Sequence, residues 1–149
     1  AIKAAMSPQT FLGISPEGIA SAVSTNGNPH CHVILRGGEH GPNYEKNHVN
    51  EAVAKLKDNG LHPPVMIDAS HDNSQKDHNN QPTVFRNIVD QRLEGDNTII
   101  GAMLESNLVA GNQKFPQELD SLIYGQSITD KCIDWETTEK LIFEAAEKL

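Results

Sequence analysis

Residues 64–76 read PVMIDASHDNSQK, an apolar run that gives way to polar residues and a histidine. A near-continuous hydrophobic run of this length is typical of a strand that is buried on both faces, as in parallel sheets. The same pattern occurs earlier in CHVILR at 31–36 and later in TIIGAMLES at 98–106. The three runs therefore predict three strands of one parallel sheet.

Segments with helical periodicity lie after these strands. Apolar residues recur at i, i+3, i+4 and i+7 from Val49 to Leu56, and Gly60 stands where helices commonly end. A second helix is predicted from about Pro82 to Gly95. For a third, C-terminal helix the predicted buried side comprises Thr138, Leu141, Ile142, Ala145 and Leu149. Strands that alternate with helices indicate βα units, so the predicted fold class is α/β.

The first residues of the chain have a different organisation. AIKAAM has the character of a helix interior, and it has neither an initiator Met nor the basic flank of a signal peptide. Two β-prone runs then surround a Pro-Glu-Gly turn, which predicts a β-hairpin over 10–25. Because three βα units do not close an eight-stranded barrel, we expect half a barrel, with the other strands preceding Ala1.

Composition limits the classes of partner. The formal net charge is -8, which argues against nucleic acid or an anionic membrane as the main partner. No apolar run approaches the roughly 18–20 residues of a membrane helix. The two cysteines, Cys31 and Cys132, form no CxxC pair and fit a reducing cytoplasm. We therefore expect a cytoplasmic protein.

Three potential metal ligands, His71, Glu105 and Asp130, follow predicted strands. The carboxyl ends of the strands form the edge of an α/β sheet or barrel at which ligands bind. One imidazole and two carboxylates suit a divalent ion such as Mn2+, Fe2+ or Zn2+. The alternative is that these side chains cap helices or anchor loops, and the sequence pattern leaves both roles open.

Arg36, followed by Gly37 and Gly38, is the best candidate for an anion contact. A guanidinium group offers two parallel hydrogen bonds to a carboxylate or phosphate. A surface ion pair at a turn is the competing interpretation. The sequence has no P-loop, GxGxxG or GxSxG motif, so nothing in it supports a P-loop NTPase, a Rossmann enzyme or a serine hydrolase.

Several strings resemble the class I 3-deoxy-D-arabino-heptulosonate 7-phosphate (DAHP) synthases. In chain order they are ILRGG, NY at 43–44, MIDASHDNSQK, GAMLESNLVAGNQ and YGQSITDKCIDWE. The resemblance runs from about Phe11 to the C-terminus. It implies a TIM (β/α)8 barrel, of which residues 1–149 would supply the C-terminal portion of the single catalytic domain. That portion comprises about the last three β/α units and the inserted hairpin.

The resemblance also implies a reaction and a set of site residues. The reaction is the metal-dependent condensation of phosphoenolpyruvate with erythrose 4-phosphate, the first step of the shikimate pathway. His71, Glu105 and Asp130 would bind the metal, a divalent ion (Mn2+, Fe2+, Zn2+ or Co2+). Arg36 would bind phosphoenolpyruvate, and His71 and Arg36 would be the catalytic residues.

The hairpin resembles the part of the family that lies near the site of feedback inhibition by an aromatic amino acid. Phe11, Gly13 and Val23 are the implied inhibitor-binding residues. Phenylalanine-sensitive relatives tend to carry Ser where this chain has Gly13, which favours tyrosine as the inhibitor.

Two family features are missing from the sequence, namely a fourth metal ligand, a Cys, and a Lys-Pro-Arg-Thr motif. We therefore expect the chain to act only with the N-terminal half of its own barrel and to be inactive alone. The resemblance also implies a homo-oligomer. One alternative is a related synthase that joins phosphoenolpyruvate to another phosphosugar. Another is a non-catalytic regulatory or orphaned fragment of such a barrel.

Overall fold

The computed structural model of the protein describes residues 1–62 and 64–149. Two compact units make up the chain, Ala1–Val33 and Ile34–Leu149. Across the described residues, none of the helices combines the length and the apolar character required to cross a membrane.

The first unit is built around a hairpin. Helix α1 (Ile2–Met6) precedes strands β1 (Gln9–Ile14) and β2 (Ala20–Thr25), which pair antiparallel. Phe11 lies opposite Val23 in this register. The hairpin predicted over 10–25 is thus confirmed.

Except for Val33, the first residue of its first strand, a three-stranded sheet lies in the second unit. Strands β3 (Val33–Leu35), β4 (Val65–Asp68) and β5 (Ile99–Met103) lie in the order β3-β4-β5. β4 and β5 are parallel, with Asp68 opposite Met103. The three predicted strands are therefore present, and the prediction of an α/β fold with parallel strands is confirmed.

Three helices accompany the strands: α2 (Lys46–Asp58), α3 (Gln81–Leu93) and α4 (Trp135–Lys148). Gly60 has a φ of +68°, the left-handed conformation that glycine adopts readily after a helix C-terminus. The apolar core of this unit is fully or almost fully buried and comprises Leu35, Val49, Val53, Leu56, Val65, Ile67, Val84, Ile88, Val89, Ile99, Ile133 and Leu141. It joins the predicted apolar stripe of α2 to the sheet.

The stripe predicted for α4 is only partly correct. Thr138 and Leu141 are buried, whereas Ile142 and Leu149 are 52% and 71% exposed. Among the described elements, α4 packs mainly against α3, and that interface also contains the ion pair of Arg86 with Glu144. The covered side of α4 is therefore narrower than the stripe that periodicity predicts.

A second pair of strands, for which the sequence pattern makes no prediction, lies between β5 and the C-terminal helix. β6 (Val109–Asn112) pairs parallel with β7 (Gln126–Ser127). The Asn112 side chain donates to the Thr129 carbonyl at 2.7 Å. These strands are too short and too polar to show hydrophobic periodicity, yet they hold the loop that carries Asp130.

Candidate metal centre

His71 lies three residues after the end of β4. It begins a short 3-10 turn, His71–Ser74, with a left-handed φ of +49°. This conformation is uncommon for a residue with a side chain, and surrounding contacts must sustain it. The adjacent Ser70 is buried and donates its hydroxyl to Asp68 Oδ1 at 2.6 Å.

Asp68 orients the imidazole of His71. The carboxylate is 2% exposed, and its Oδ2 accepts from His71 Nδ1 at 2.6 Å. Because a carboxylate can only accept, Nδ1 carries the ring proton, and the lone pair on Nε2 is available for a metal ion. Asp68 Oδ1 also accepts from the Ser70 N–H at 2.8 Å. Both oxygens are thus engaged, and the ring has one preferred tautomer.

Glu105 is placed by a buried amide from the preceding helix. Gln81, the first residue of α3, is 1% exposed. Its Oε1 accepts from the Glu105 N–H at 2.9 Å, and its Nε2 donates to the Glu105 carbonyl at 3.3 Å. The Glu105 carbonyl also accepts from the Ile133 N–H at 2.9 Å. Three hydrogen bonds therefore fix the backbone from which this carboxylate projects.

The three predicted ligands meet at one point. His71 Nε2 lies 3.5 Å from Glu105 Oε1 and 4.0 Å from Asp130 Oδ2, and one donor atom from each residue lies within 4.8 Å of the others. Donor atoms about 2.1 Å from one ion are separated by roughly 3–4 Å. The two distances from His71 Nε2 lie in this range. Within the described part of the chain, one group of three or more histidine, cysteine or acidic side chains is close enough together to share an ion. Its members are His71, Glu105 and Asp130.

The charge at this point also favours a cation. Burial raises the pKa of the Glu105 carboxyl, His71 lowers it, and the neighbouring Asp130 and Asp68 raise it further. Three carboxylates therefore surround one imidazole. A divalent ion would neutralise this excess of negative charge, so the residues fit the ion that the sequence implies.

Arg36 lines the same cavity, which has a volume of about 370 Å³. Within residues 1–62 and 64–149, no carboxylate forms an ion pair with its guanidinium group. The full lining comprises Arg36, His71, Ser74, Lys76, His78, Glu105, Asn112, Asp130 and Lys131. The cavity thus combines a possible metal group with cationic side chains.

The residues predicted to bind an inhibitor also lie together, on the hairpin of the first unit. Phe11 and Gly13 are two residues apart on β1 and therefore lie on the same face of the hairpin. Val23 lies opposite Phe11 on β2. A Cβ built on Gly13 would be 2.8 Å from Val23 Cγ2 and 3.5 Å from Phe11 Cε2. The absence of a side chain at position 13 therefore leaves room that Val23 partly fills.

Sequence reasoning missed Asp68, Gln81 and Asn73, which support the site. Each is a buried polar residue. A weak signal for Asp68 was available, because it is the one charged residue inside the apolar run of β4. Gln81 and Asn73 lie in polar segments, where nothing in the local pattern separates a buried amide from an exposed one.

The geometry defines an α/β protein with a possible His-Glu-Asp metal group at the carboxyl end of its strands. The family model described as "DAHP synthetase I family" matches residues 1–142. The chain belongs to this family.

Individual relatives agree with the family assignment. The chain is 48% identical, over 98% of its length, to the phospho-2-dehydro-3-deoxyheptonate aldolase AMT16 of Alternaria alternata, of which it covers 39%. It is 44% identical to the Tyr-sensitive phospho-2-dehydro-3-deoxyheptonate aldolase of Salmonella typhimurium over its whole length, covering 42% of that protein. The chain therefore spans about two fifths of the length of these relatives.

A solved structure is similar over nearly the whole chain. The phospho-2-dehydro-3-deoxyheptonate aldolase of Francisella tularensis SCHU S4 superimposes with a TM-score of 0.91 at 48% identity. The match covers 99% of this chain and 42% of that one.

Proposed function

We propose that the protein is a DAHP synthase, which condenses phosphoenolpyruvate with erythrose 4-phosphate and releases phosphate. The observation that carries the proposal is the meeting of His71, Glu105 and Asp130 in one cavity with Arg36. Membership of the DAHP synthetase I family and relatives named as the corresponding aldolases support it. The proposed metal ligands are His71, Glu105 and Asp130.

In the proposed reaction, the metal ion and the protein side chains have different roles. A divalent ion, when bound, supplies Lewis acidity that withdraws electron density from the aldehyde of erythrose 4-phosphate. Arg36 binds phosphoenolpyruvate and orients its nucleophilic carbon towards that aldehyde. A carbon–carbon bond forms, water adds to the former enol carbon, and the phosphate group leaves.

In the proposed protein, the strands described above form part of a complete (β/α)8 barrel. Ile34 on β3 and Ile100 on β5 are 44% and 54% exposed, although both belong to strands of the sheet. Apolar strand residues of this kind become buried inside a closed (β/α)8 barrel. The N-terminal half of the barrel is therefore the proposed partner, and it would supply the remaining substrate contacts.

The first test is phosphate release from phosphoenolpyruvate that depends on erythrose 4-phosphate. The natural polypeptide that contains these residues should release phosphate with Mn2+ present and stop when EDTA removes the ion. Replacing erythrose 4-phosphate by arabinose 5-phosphate should give little release, which separates this reaction from that of a related synthase.

Two controls complete the assay. The 149-residue chain alone should be inactive, because the remaining substrate contacts lie elsewhere in the proposed barrel. Adding excess Mn2+ after EDTA should restore release by the natural polypeptide. Release that persists in EDTA would refute the metal-dependent mechanism, and no release with any sugar would favour a regulatory fragment.

The hairpin is the proposed site of feedback inhibition, with tyrosine as the inhibitor. Gly13→Ser should raise the tyrosine concentration for half-inhibition about tenfold. The new Cβ would force Val23 to move, and the space for a ligand beside Phe11 would become narrower. Inhibition by phenylalanine should strengthen at the same time. Both are measured as inhibition curves of phosphate release.

Ala22→Ser is the matched control for Gly13→Ser. Ala22 pairs with Leu12 on the opposite face of the same hairpin. The Ala22→Ser substitution also introduces a serine hydroxyl group, but away from the proposed site. The inhibition curves of this variant should therefore equal those of the unmodified protein. Equal curves for both variants would place the inhibitor elsewhere.

A further inference from the structure

Asn73 is a buried asparagine that joins the ends of two strands. It is 3% exposed, and its Nδ2 donates to the carbonyl of Leu35 at 3.0 Å and to that of Asp68 at 2.8 Å. Leu35 ends β3 and Asp68 ends β4. Its Oδ1 accepts from the Asn43 N–H at 2.7 Å. Both amide hydrogens and the amide oxygen are therefore bonded, which is how a buried amide remains tolerable.

The same residue acts on the backbone that carries Arg36. The Asn73 N–H donates to the Arg36 carbonyl at 3.3 Å, and the preceding carbonyl, that of Leu35, is the one bound by its side chain. The following N–H, that of Gly37, donates to Asn43 Oδ1 at 2.7 Å. Backbone groups on both sides of Arg36 are thus held by Asn73 or by the Asn43 it binds.

Gly37 shows how closely this loop lies against the turn. Its φ is +76°, and a Cβ built there would be 2.7 Å from Asp72 Cβ and 2.8 Å from the Asn73 nitrogen. Only glycine permits this approach without displacement of the backbone. The position of Arg36 is therefore defined relative to the 3-10 turn that begins with His71.

We propose that Asn73 is a positioning residue that sets where the Arg36 guanidinium group meets phosphoenolpyruvate. The inference rests on the proposed function and extends it to a residue that contacts neither substrate nor metal. A long arginine side chain can make two aligned hydrogen bonds only when its backbone is fixed, because a small displacement at the Cα is carried to the charged end.

Asn73→Ala, made in the natural polypeptide, tests the inference. The KM for phosphoenolpyruvate is expected to rise about tenfold while kcat changes less than about twofold, since substrate binding is weakened and the chemistry is retained. The KM for erythrose 4-phosphate and the affinity for Mn2+ should stay within about twofold of the unmodified values. Equilibrium binding of phosphoenolpyruvate, measured by calorimetry, should weaken by the same factor as KM rises.

A double-mutant cycle with Arg36→Ala shows whether Asn73 acts through Arg36. If it does, adding Asn73→Ala to Arg36→Ala should raise the KM for phosphoenolpyruvate by less than about twofold further. A full tenfold increase in both backgrounds would overturn the inference. An unchanged KM in Arg36→Ala alone would instead refute the proposed substrate role of Arg36, so the two failures are distinguishable.

Two other variants test the inference even if Asn73→Ala fails to fold. Asn43→Ala removes only the acceptor for the Gly37 N–H and should raise the KM for phosphoenolpyruvate about threefold. Asn80→Ala removes a bond to the Ser74 carbonyl in the same turn and should leave KM unchanged. An unchanged KM in Asn43→Ala, or a loss of Mn2+ affinity in Asn73→Ala that matches its loss of activity, would overturn the inference.

Discussion

Glu105→Ala is expected to lower the affinity of the natural polypeptide for Mn2+ by more than about 100-fold. It should also remove the proposed DAHP synthase activity at ordinary metal concentrations. Loss of a residue that only orients a metal ligand already costs about 10–100-fold in affinity, and Glu105 would be a ligand itself. Its Oε1 lies 3.5 Å from His71 Nε2, so the remaining His71 and Asp130 would form an incomplete site. Metal content after dialysis and the rate of phosphate release measure the two losses.

Glu139→Ala is the control for Glu105→Ala. Glu139 is an exposed glutamate on α4, outside the cavity. It removes the same charge from the protein and should leave metal content and rate unchanged. A Glu105→Ala variant that keeps its metal but loses its rate would show that Glu105 acts on substrate rather than on the ion. A variant that keeps both would exclude Glu105 from the site.

Asp68→Asn is expected to lower Mn2+ affinity by about 10–100-fold, although Asp68 would not touch the ion. The carboxylate accepts from His71 Nδ1, the Ser70 N–H and the Ser70 hydroxyl at once. An amide in its place must turn its NH2 group towards at least one of these donors. If the NH2 group faces His71 Nδ1, the ring must change its tautomer or its orientation, and if it faces Ser70, a buried donor is left unpaired. Metal titration and thermal unfolding report these two effects.

Asp72→Asn provides the comparison for Asp68→Asn in the same turn. Asp72 is 33% exposed and faces Lys76 at 3.6 Å, an arrangement that contributes little to stability. Its metal affinity and unfolding temperature should match those of the unmodified protein. Equal metal affinities in the two variants would mean that Asp68 does not orient His71.

The fold was predictable where apolar burial creates periodicity. β3, β4 and β5 are short apolar runs, and α2 has a clear stripe, so both kinds of element could be located from the sequence. β6 and β7 could not, because their residues are polar or small and their pairing depends on contacts distant in sequence. The exposed side of α4 was misjudged for a related reason, since periodicity identifies an apolar face but does not identify what packs on it.

The site was predictable at the level of its chemical groups. His71 and Glu105 follow β4 and β5, whose carboxyl ends lie at one edge of the same parallel sheet. Asp130 follows β7, which belongs to the second pair of strands. What the sequence could not supply is the set of buried residues that orient them. Asp68, Gln81 and Asn73 act through hydrogen bonds to backbone or to a ring nitrogen, and these contacts exist only once the strands are adjacent.

The pair of hydrogen bonds between the Gln81 side chain and the Glu105 backbone has an evolutionary consequence. Both hydrogen bonds go to main-chain atoms, which every residue other than proline would present at position 105. A substitution at position 105 therefore cannot compensate for a change at position 81. Natural variation should keep glutamine at position 81 without any covariation between the two positions, so a search for correlated substitutions would overlook this contact.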